Sequence, residues 1–573
     1  MLDYLIIFTF ITLSTIHLIS LGFFFEKFFL SLDFDCKKTF YYGISGLFWL
    51  GSISLILNFF IPINKNLNNI VFIIPIFYLL FNTKNIYINK EIVVGIFCIS
   101  TISSLTIYLA NNYTPDAGLY HLPFIKVLND NKIIIGLTNI NFTYGQSSFY
   151  QYISATYNNS LYKDVGITIP LVQIFSFIIT TFIFFLIKNR KLNFHYLFVF
   201  LITSFCLMRL SRYSDLGNDG PAHLLFLYLA YTIFIILDKK CFDKYDFFQT
   251  ILISTFIFIV KPTMGMVFLF NIYLVLKFKF YKFIKINITY YFLLFFIIFF
   301  LKNFLISGCL LFPLKITCFS KVGWYSNNIE YHGNSERVHD QGVAWTKGYP
   351  DQPIPQKTFK DYNKGFYWTK IWVKNHGKVI LHKFFPFFLI LLLTLFVINI
   401  KREEKQNCNN EIFVNNNKEI NFLIAISGIS TLIWFLQFPV LRYGLGYIAL
   451  LTILVFLKLF YKNKINYKNI KIFHAMLIFL SLVIVFKNFS RIKKINNSYN
   501  HAPWPKIYSD KNLQNLEDTV IPVKINNKIQ FYKPSKYNLC YYSLSPCTHF
   551  NEKKLLNEIY LKEIYGYKAY LLK

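Results

Sequence analysis

Long apolar runs recur along this chain and leave little choice of architecture. Runs of roughly 18 to 22 residues suit a helix crossing a hydrocarbon core about 30 Å thick. They lie near 4–25, 41–62, 69–82, 91–110, 166–187, 194–209, 221–237, 247–260, 264–276, 288–306, 379–400, 420–438, 443–460 and 471–487. A backbone inside lipid must satisfy its own hydrogen bonds, so such runs are helices. The expectation is an all-α polytopic membrane protein with about fourteen transmembrane helices. The stretch from Met264 to Leu276 is the shortest of them. The 55% share of apolar residues and the mean hydropathy of +0.43 exclude an ordinary soluble domain. The first run, Leu5 to Phe25, lacks a basic start and a small-residue cleavage site, and reads as a retained span.

A net charge of +31 invites a nucleic-acid partner. The placement of the charges excludes one. Lys27, Lys37 and Lys38 follow the first run, and Lys84 and Lys90 precede the fourth. Lys188, Arg190 and Lys191 follow the fifth, and Lys239, Lys240 and Lys244 follow the seventh. Lys277, Lys279, Lys282 and Lys285 follow the ninth. Lys401, Arg402 and Lys405 follow the eleventh, and Lys462, Lys464, Lys468 and Lys471 precede the last. On an alternating path all these clusters fall on one side, which the positive-inside tendency makes cytoplasmic. The expected location is the bacterial inner (plasma) membrane, with an extracytoplasmic working face.

That outer face receives the 111–165 loop, the 307–378 loop and the region after 487. Asp116, in Thr-Pro-Asp-Ala-Gly-Leu-Tyr-His-Leu (114–122), lies just beyond an apolar run. A carboxylate there is a candidate base for chemistry on a lipid-linked substrate. Two amphipathic runs follow, Asp116–Asp130 and Gln146–Tyr157, too short and polar to span. They fit interfacial helices with Tyr rings at headgroup depth, or ordinary loop helices.

The turn from Arg212 to Pro221 is rich in acids and glycine. Asp215 and Asp219 are close enough to share a divalent cation or a substrate hydroxyl, while Asp219 equally suits a helix cap. His223 lies just inside the next run, where a titratable group faces protein or a wet cavity. Lys261 and Arg442 sit at the outer boundary. They suit a phosphate or pyrophosphate, or simple snorkelling to the interface. The second loop carries Trp324, Glu330, His332, Glu336, Arg337, His339, Asp340, Trp345, Trp368 and Trp372. Aromatic rings among acids and amides suit stacking on sugar faces.

Its His and acids lack a specific metal-ligand spacing, and no phosphate-loop, dinucleotide or serine-nucleophile motif occurs. Of nine cysteines, Cys540–Cys547 and Cys309–Cys318 are candidate disulfides in outer segments, and Cys98 and Cys206 read as apolar filler. The tail reads as a small cap, with a strand at Lys528–Tyr532 and a terminal helix from Glu552.

An acid at the start of the first large outer loop, two short helices and further spans resemble the conserved module of the GT-C glycosyltransferases. The motifs Asp-Ala-Gly-Leu-Tyr-His-Leu-Pro (116–123), Asn303-Phe-Leu-Ile-Ser-Gly-Cys-Leu-Leu-Phe-Pro313 and Arg442-Tyr-Gly-Leu-Gly resemble an uncharacterised bacterial polytopic membrane family associated with surface-polysaccharide genes. The GT-C resemblance implies a GT-C-like module over 91–306. Spans at 1–90 would precede it, which departs from members whose module begins at the N-terminus. The 307–378 loop, spans at 379–487 and a 488–573 cap would follow it. It also implies a polyprenyl-phosphate sugar donor, a lipid-linked glycan acceptor and Asp116 as base. Asp215 would be a second catalytic residue, orienting the acceptor, helping to bind a divalent ion or standing in as the base, and His121, Asp219, His223, Lys261, Arg442, Trp324 and Trp345 would bind substrate. An O-antigen polymerase or ligase fits the second loop and Arg442. A transporter fits less well, because the spans are nearly charge-free and no internal repeat is visible.

Overall fold

A computed structural model describes residues 2–31, 33–81, 89–109, 116–189, 192–211, 216–283, 287–349, 358–399, 417–460, 470–494, 520–525, 528–535, 539–550 and 552–573. Asp215, with Thr114 and Pro115, lies outside the described residues.

Each of the fourteen apolar runs falls on a helix. Among the described residues ten helices are long and apolar enough to cross a membrane, so the protein is a mostly helical, polytopic membrane protein. These include α1 (Leu2–Leu30), α2 (Thr39–Asn58), α4 (Lys90–Leu109), α7 (Ile169–Lys188) and α9 (Asp219–Lys239). The others are α12 (Asn287–Ser307), α16 (Lys378–Asn399), α17 (Asn417–Gln437), α18 (Leu441–Phe460) and α19 (Ile470–Lys494). The remaining runs form shorter helices: α3 (Lys65–Phe81), α8 (Phe194–Arg209), α10 (Lys244–Val260) and α11 (Phe268–Lys277).

The first half packs tightly. Helix α1 lies against α2, α3 and α4, and α7 closes onto α2 and α4. A Cβ at Gly46 would meet the Leu18 backbone oxygen at 2.0 Å, so only glycine allows α1 and α2 to approach this closely. Polar pairs join the helices inside the apolar layer: Ser14 Oγ donates to Gln173 Oε1 across 2.8 Å, and Ser103 Oγ to Ser176 Oγ across 2.7 Å. Without water, such groups are satisfied only by each other.

The two short outer-loop helices, α5 (Leu122–Asp130) and α6 (Phe149–Thr156), differ from the interfacial expectation. The Tyr rings of α6 sit inside the protein: Tyr150 and Tyr152 are fully buried, and Tyr150 Oη donates to Pro170 O across 2.6 Å. Helix α6 packs on α2, so its apolar side faces neighbouring helices rather than lipid. Short helices α13 (Ser335–Thr346), α14 (Phe359–Asn363) and α15 (Trp368–Trp372) build the second loop.

The tail contains two antiparallel hairpins, β1 (Val520–Ile525) with β2 (Lys528–Pro534) and β3 (Ile559–Ile564) with β4 (Tyr567–Leu572). The expected terminal helix is only α20 (Glu552–Glu558), after which the chain turns into β3. Alternating residues such as Tyr567, Ala569 and Leu571 favour the strand. The tail is tied to the first loop. Ile135 N–H donates to Lys568 O and Tyr570 N–H to Ile135 O, each across 2.9 Å. Cys540 and Tyr541 donate their N–H groups to Gly118 O, across 3.0 and 2.9 Å. The disulfides Cys309–Cys318 and Cys540–Cys547 both form.

Candidate functional site

One end of α9, α10 and α18 gathers four charges from distant parts of the sequence. Asp116 stands at the entry to a π-turn, Ala117–His121, that leads into α5. The tail holds this turn through Gly118, as described above. Arg442 is the second residue of α18. The chain enters α18 through a turn braced by two indoles: Trp434 Nε1 donates to Val440 O across 2.8 Å, and Trp372 Nε1 to Pro439 O across 2.5 Å.

Arg442 Nη1 donates to Asp116 Oδ2 across 2.8 Å. Its Nε lies 3.8 Å from Asp219 Oδ2, and Lys261 Nζ pairs with Asp219 Oδ1. Two cations therefore face two carboxylates, and the cluster is close to neutral overall. Asp219 spends its carboxylate on these cations; the N-cap position belongs to Asn218. Lys261 is 8% exposed, so it is turned inward and does not snorkel. Burial lowers the Lys261 proton affinity and the adjacent Asp219 opposes that shift.

Aromatic rings line the cluster. The Trp345 ring centre lies 5.3 Å from the Arg442 guanidinium carbon, bringing the second loop onto the site. Tyr443 sits between the cations, 4.1 Å from Lys261 Nζ and 5.2 Å from the guanidinium, measured to its ring centre. Guanidinium over a ring face is a favourable arrangement.

His223 positions Arg442. Gly446 N–H donates to His223 Nδ1 across 3.2 Å, so His223 Nε2 carries the proton and donates to Arg442 O across 2.8 Å. A Cβ on Gly446 would lie 2.8 Å from His223 Nδ1, so the glycine admits the imidazole. His121 is fixed from α6. Ser148 N–H donates to Gln151 Oε1 across 2.9 Å, leaving Gln151 Nε2 to donate to His121 Nδ1 across 3.0 Å. Burial pushes the His121 pKa down to about 4, against the pull of Asp116 and Asp219, so the ring is neutral at pH 7.

The cluster thus brings together Asp116, Asp219, Lys261, Arg442 and Trp345, with His223 bracing Arg442 and His121 behind the π-turn. Trp324 is elsewhere: its indole donates to Phe304 O across 3.0 Å. Among the described residues no group of three or more His, Cys, Asp or Glu side chains could hold a metal ion. Tyr443 and Gln151 were not singled out in the sequence. Tyr443 had a signal, as the neighbour of Arg442, whereas only folding places Gln151 against His121.

Chemically, Asp116 is a carboxylate held by one oxygen. Among the described residues, Oδ1 has no protein partner, so it is open to a hydroxyl. The arrangement defines a polytopic membrane protein with a charged, aromatic-lined site at one end of its helix bundle. The chain belongs to the family described as Domain of unknown function (DUF8201), whose model matches residues 1–449. The match includes every charge of the cluster and stops before the cap. No curated protein and no solved structure matches the chain.

Proposed function

We propose that this protein is a GT-C-type membrane glycosyltransferase, moving a sugar from a polyprenyl-phosphate-linked donor to a lipid-linked or surface glycan on the outer face of the bacterial inner membrane. The observation that carries this reading is the Asp116 carboxylate, clamped through Oδ2 by Arg442, with Oδ1 unpartnered among the described residues. A base must reach the proton it takes while its own position is fixed, and the Arg442 bond provides that fixing.

In the proposed step an acceptor hydroxyl oxygen attacks the anomeric carbon. Its proton passes to Asp116. The bond from that carbon to the phosphate oxygen breaks, and the electron pair leaves with polyprenyl phosphate. Trp345 and Tyr443 supply faces on which a sugar ring can stack. The outer placement draws support from two patterns. Lysine clusters mark the opposite ends of the helices. Both disulfides lie at the site end, while Cys36 and Cys241, near the lysine clusters, form no disulfide.

The decisive experiment is complementation of a surface-glycan defect with Asp116→Asn, with membrane levels of the variant measured alongside. Normal insertion with loss of glycan supports the transferase. Normal glycan removes Asp116 from the chemistry. A second reading, an O-antigen polymerase or ligase, is favoured by the stacking of Trp345 from the second loop on Arg442. It predicts that Arg442 and Trp345 matter while Asp116 does not.

A further inference from the structure

Lys302 lies in α12, five residues before its last residue, Ser307, on the site end of the bundle. At about 1.5 Å per residue that places it some 7 Å inside the helix end. It is 1% exposed. Among the described residues Lys302 makes no ion pair, and its one hydrogen bond goes to Ser147 Oγ across 3.5 Å. The ammonium otherwise faces rings, 5.1 Å from the Phe299 centre and 5.8 Å from the Tyr152 centre. The Tyr152 hydroxyl is itself buried without a partner among the described residues.

A buried cation over a ring whose own hydroxyl is buried and unused costs folding free energy, and sequences retain such groups where a ligand completes them. The unmet charge is positive and the unused neighbours can donate, so the missing group is an anion. The place adjoins the cluster. Ser148 Oγ donates to Val260 O across 3.0 Å, one residue before Lys261. The cluster's own cations are already matched by Asp116 and Asp219, so an incoming phosphate finds its uncompensated countercharge at Lys302 instead.

We propose that Lys302, with the Tyr152 and Ser147 hydroxyls, forms a phosphate-binding subsite that seats the phosphate of the lipid-linked donor. The identification of the donor rests on the transferase reading; the anion subsite does not. A lipid-linked phosphate fits better than a free one, because Leu294, Ile297 and Leu301 on the same helix are exposed. A prenyl chain therefore has apolar surface on the neighbouring face of α12, about a quarter turn from Lys302.

The test uses full-length protein in detergent and the variants Lys302→Met and Lys302→Arg, with thermal unfolding as the readout. Probes are a polyprenyl phosphate, the matching uncharged polyprenol, and inorganic phosphate. The wild type and Lys302→Arg should gain thermal stability with polyprenyl phosphate and not with polyprenol. Lys302→Met should bind it at least tenfold more weakly while being no less stable alone, since it removes an unpaired buried charge. A response to inorganic phosphate that Lys302→Met abolishes also supports the subsite, with a free anion as its ligand. Equal responses of the wild type and Lys302→Met to every probe overturn the proposal. If Asp116→Asn leaves glycan formation intact but Lys302→Met loses phosphate binding, the transferase reading fails and the subsite stands.

Discussion

Arg442 Nη1 donates to Asp116 Oδ2 across 2.8 Å, joining two residues separated by 326 positions in the chain. This one bond brings the first outer loop onto the start of α18. Both side chains are partly exposed, so the stabilisation it gives is small, while its effect on geometry is large. A double-mutant cycle with Asp116→Asn and Arg442→Gln should show a coupling of about 0.5–1 kcal/mol in unfolding. Additive losses would mean the two residues do not meet. Arg442→Lys keeps the charge but not the fork that faces Asp116 and Asp219 together, so turnover should fall by roughly tenfold or more.

Cys241 is an exposed thiol at the lysine-rich end of the bundle. A membrane-impermeant maleimide should label it in inverted membrane vesicles and not in right-side-out ones. The reverse pattern would place the Asp116 cluster in the cytoplasm and end the outer-face reading.

His121 gives the site a pH signature. Its folded pKa of about 4 lies below the unfolded value of 6.5. A group lowered in this way contributes stability fully above pH 6.5, and that contribution is lost as pH falls toward 4. The loss should be about 3 kcal/mol across that window. His121→Asn removes the titrating group, so the difference in stability between wild type and variant should change with pH only below 6.5. Denaturant unfolding at pH 4.5 and pH 7 checks this; a pH-independent difference contradicts a buried neutral imidazole.

Gly46 sets the spacing of α1 and α2. A methyl group there meets the Leu18 backbone oxygen, which has no rotamer by which to yield. Gly46→Ala should destabilise the protein by about 1–3 kcal/mol and lower its melting temperature. An unchanged melting temperature would show that the two helices cross further apart.

Individual residues show what could be read in advance. Asp219 invited two readings from its turn, a helix cap or, with Asp215, a holder of a divalent cation or a substrate hydroxyl. The return of the chain through Lys261 gave it a third role, pairing with Lys261 and facing Arg442. Lys302 carried a sequence signal, a single lysine within Phe-Phe-Leu-Lys-Asn (299–303). Its lack of a carboxylate among the described residues became visible only when α12 packed on the 142–146 turn. The Tyr residues of α6 suit a headgroup belt as well as a buried core, because periodicity reports that a face is apolar and not what covers it.

The sequence by itself determined that this is a polytopic helical protein, where each apolar run falls, which helix ends carry the lysines, and which cysteines could pair. These are local properties: run length, composition and nearby spacing act within one element. Tertiary structure alone decided that Asp116, Asp219, Lys261 and Arg442 form one cluster, that His223 serves Arg442, and that the C-terminal cap grips Gly118. Those contacts join residues tens to hundreds of positions apart. The packing of whole helices sets their distances, and no local pattern encodes it.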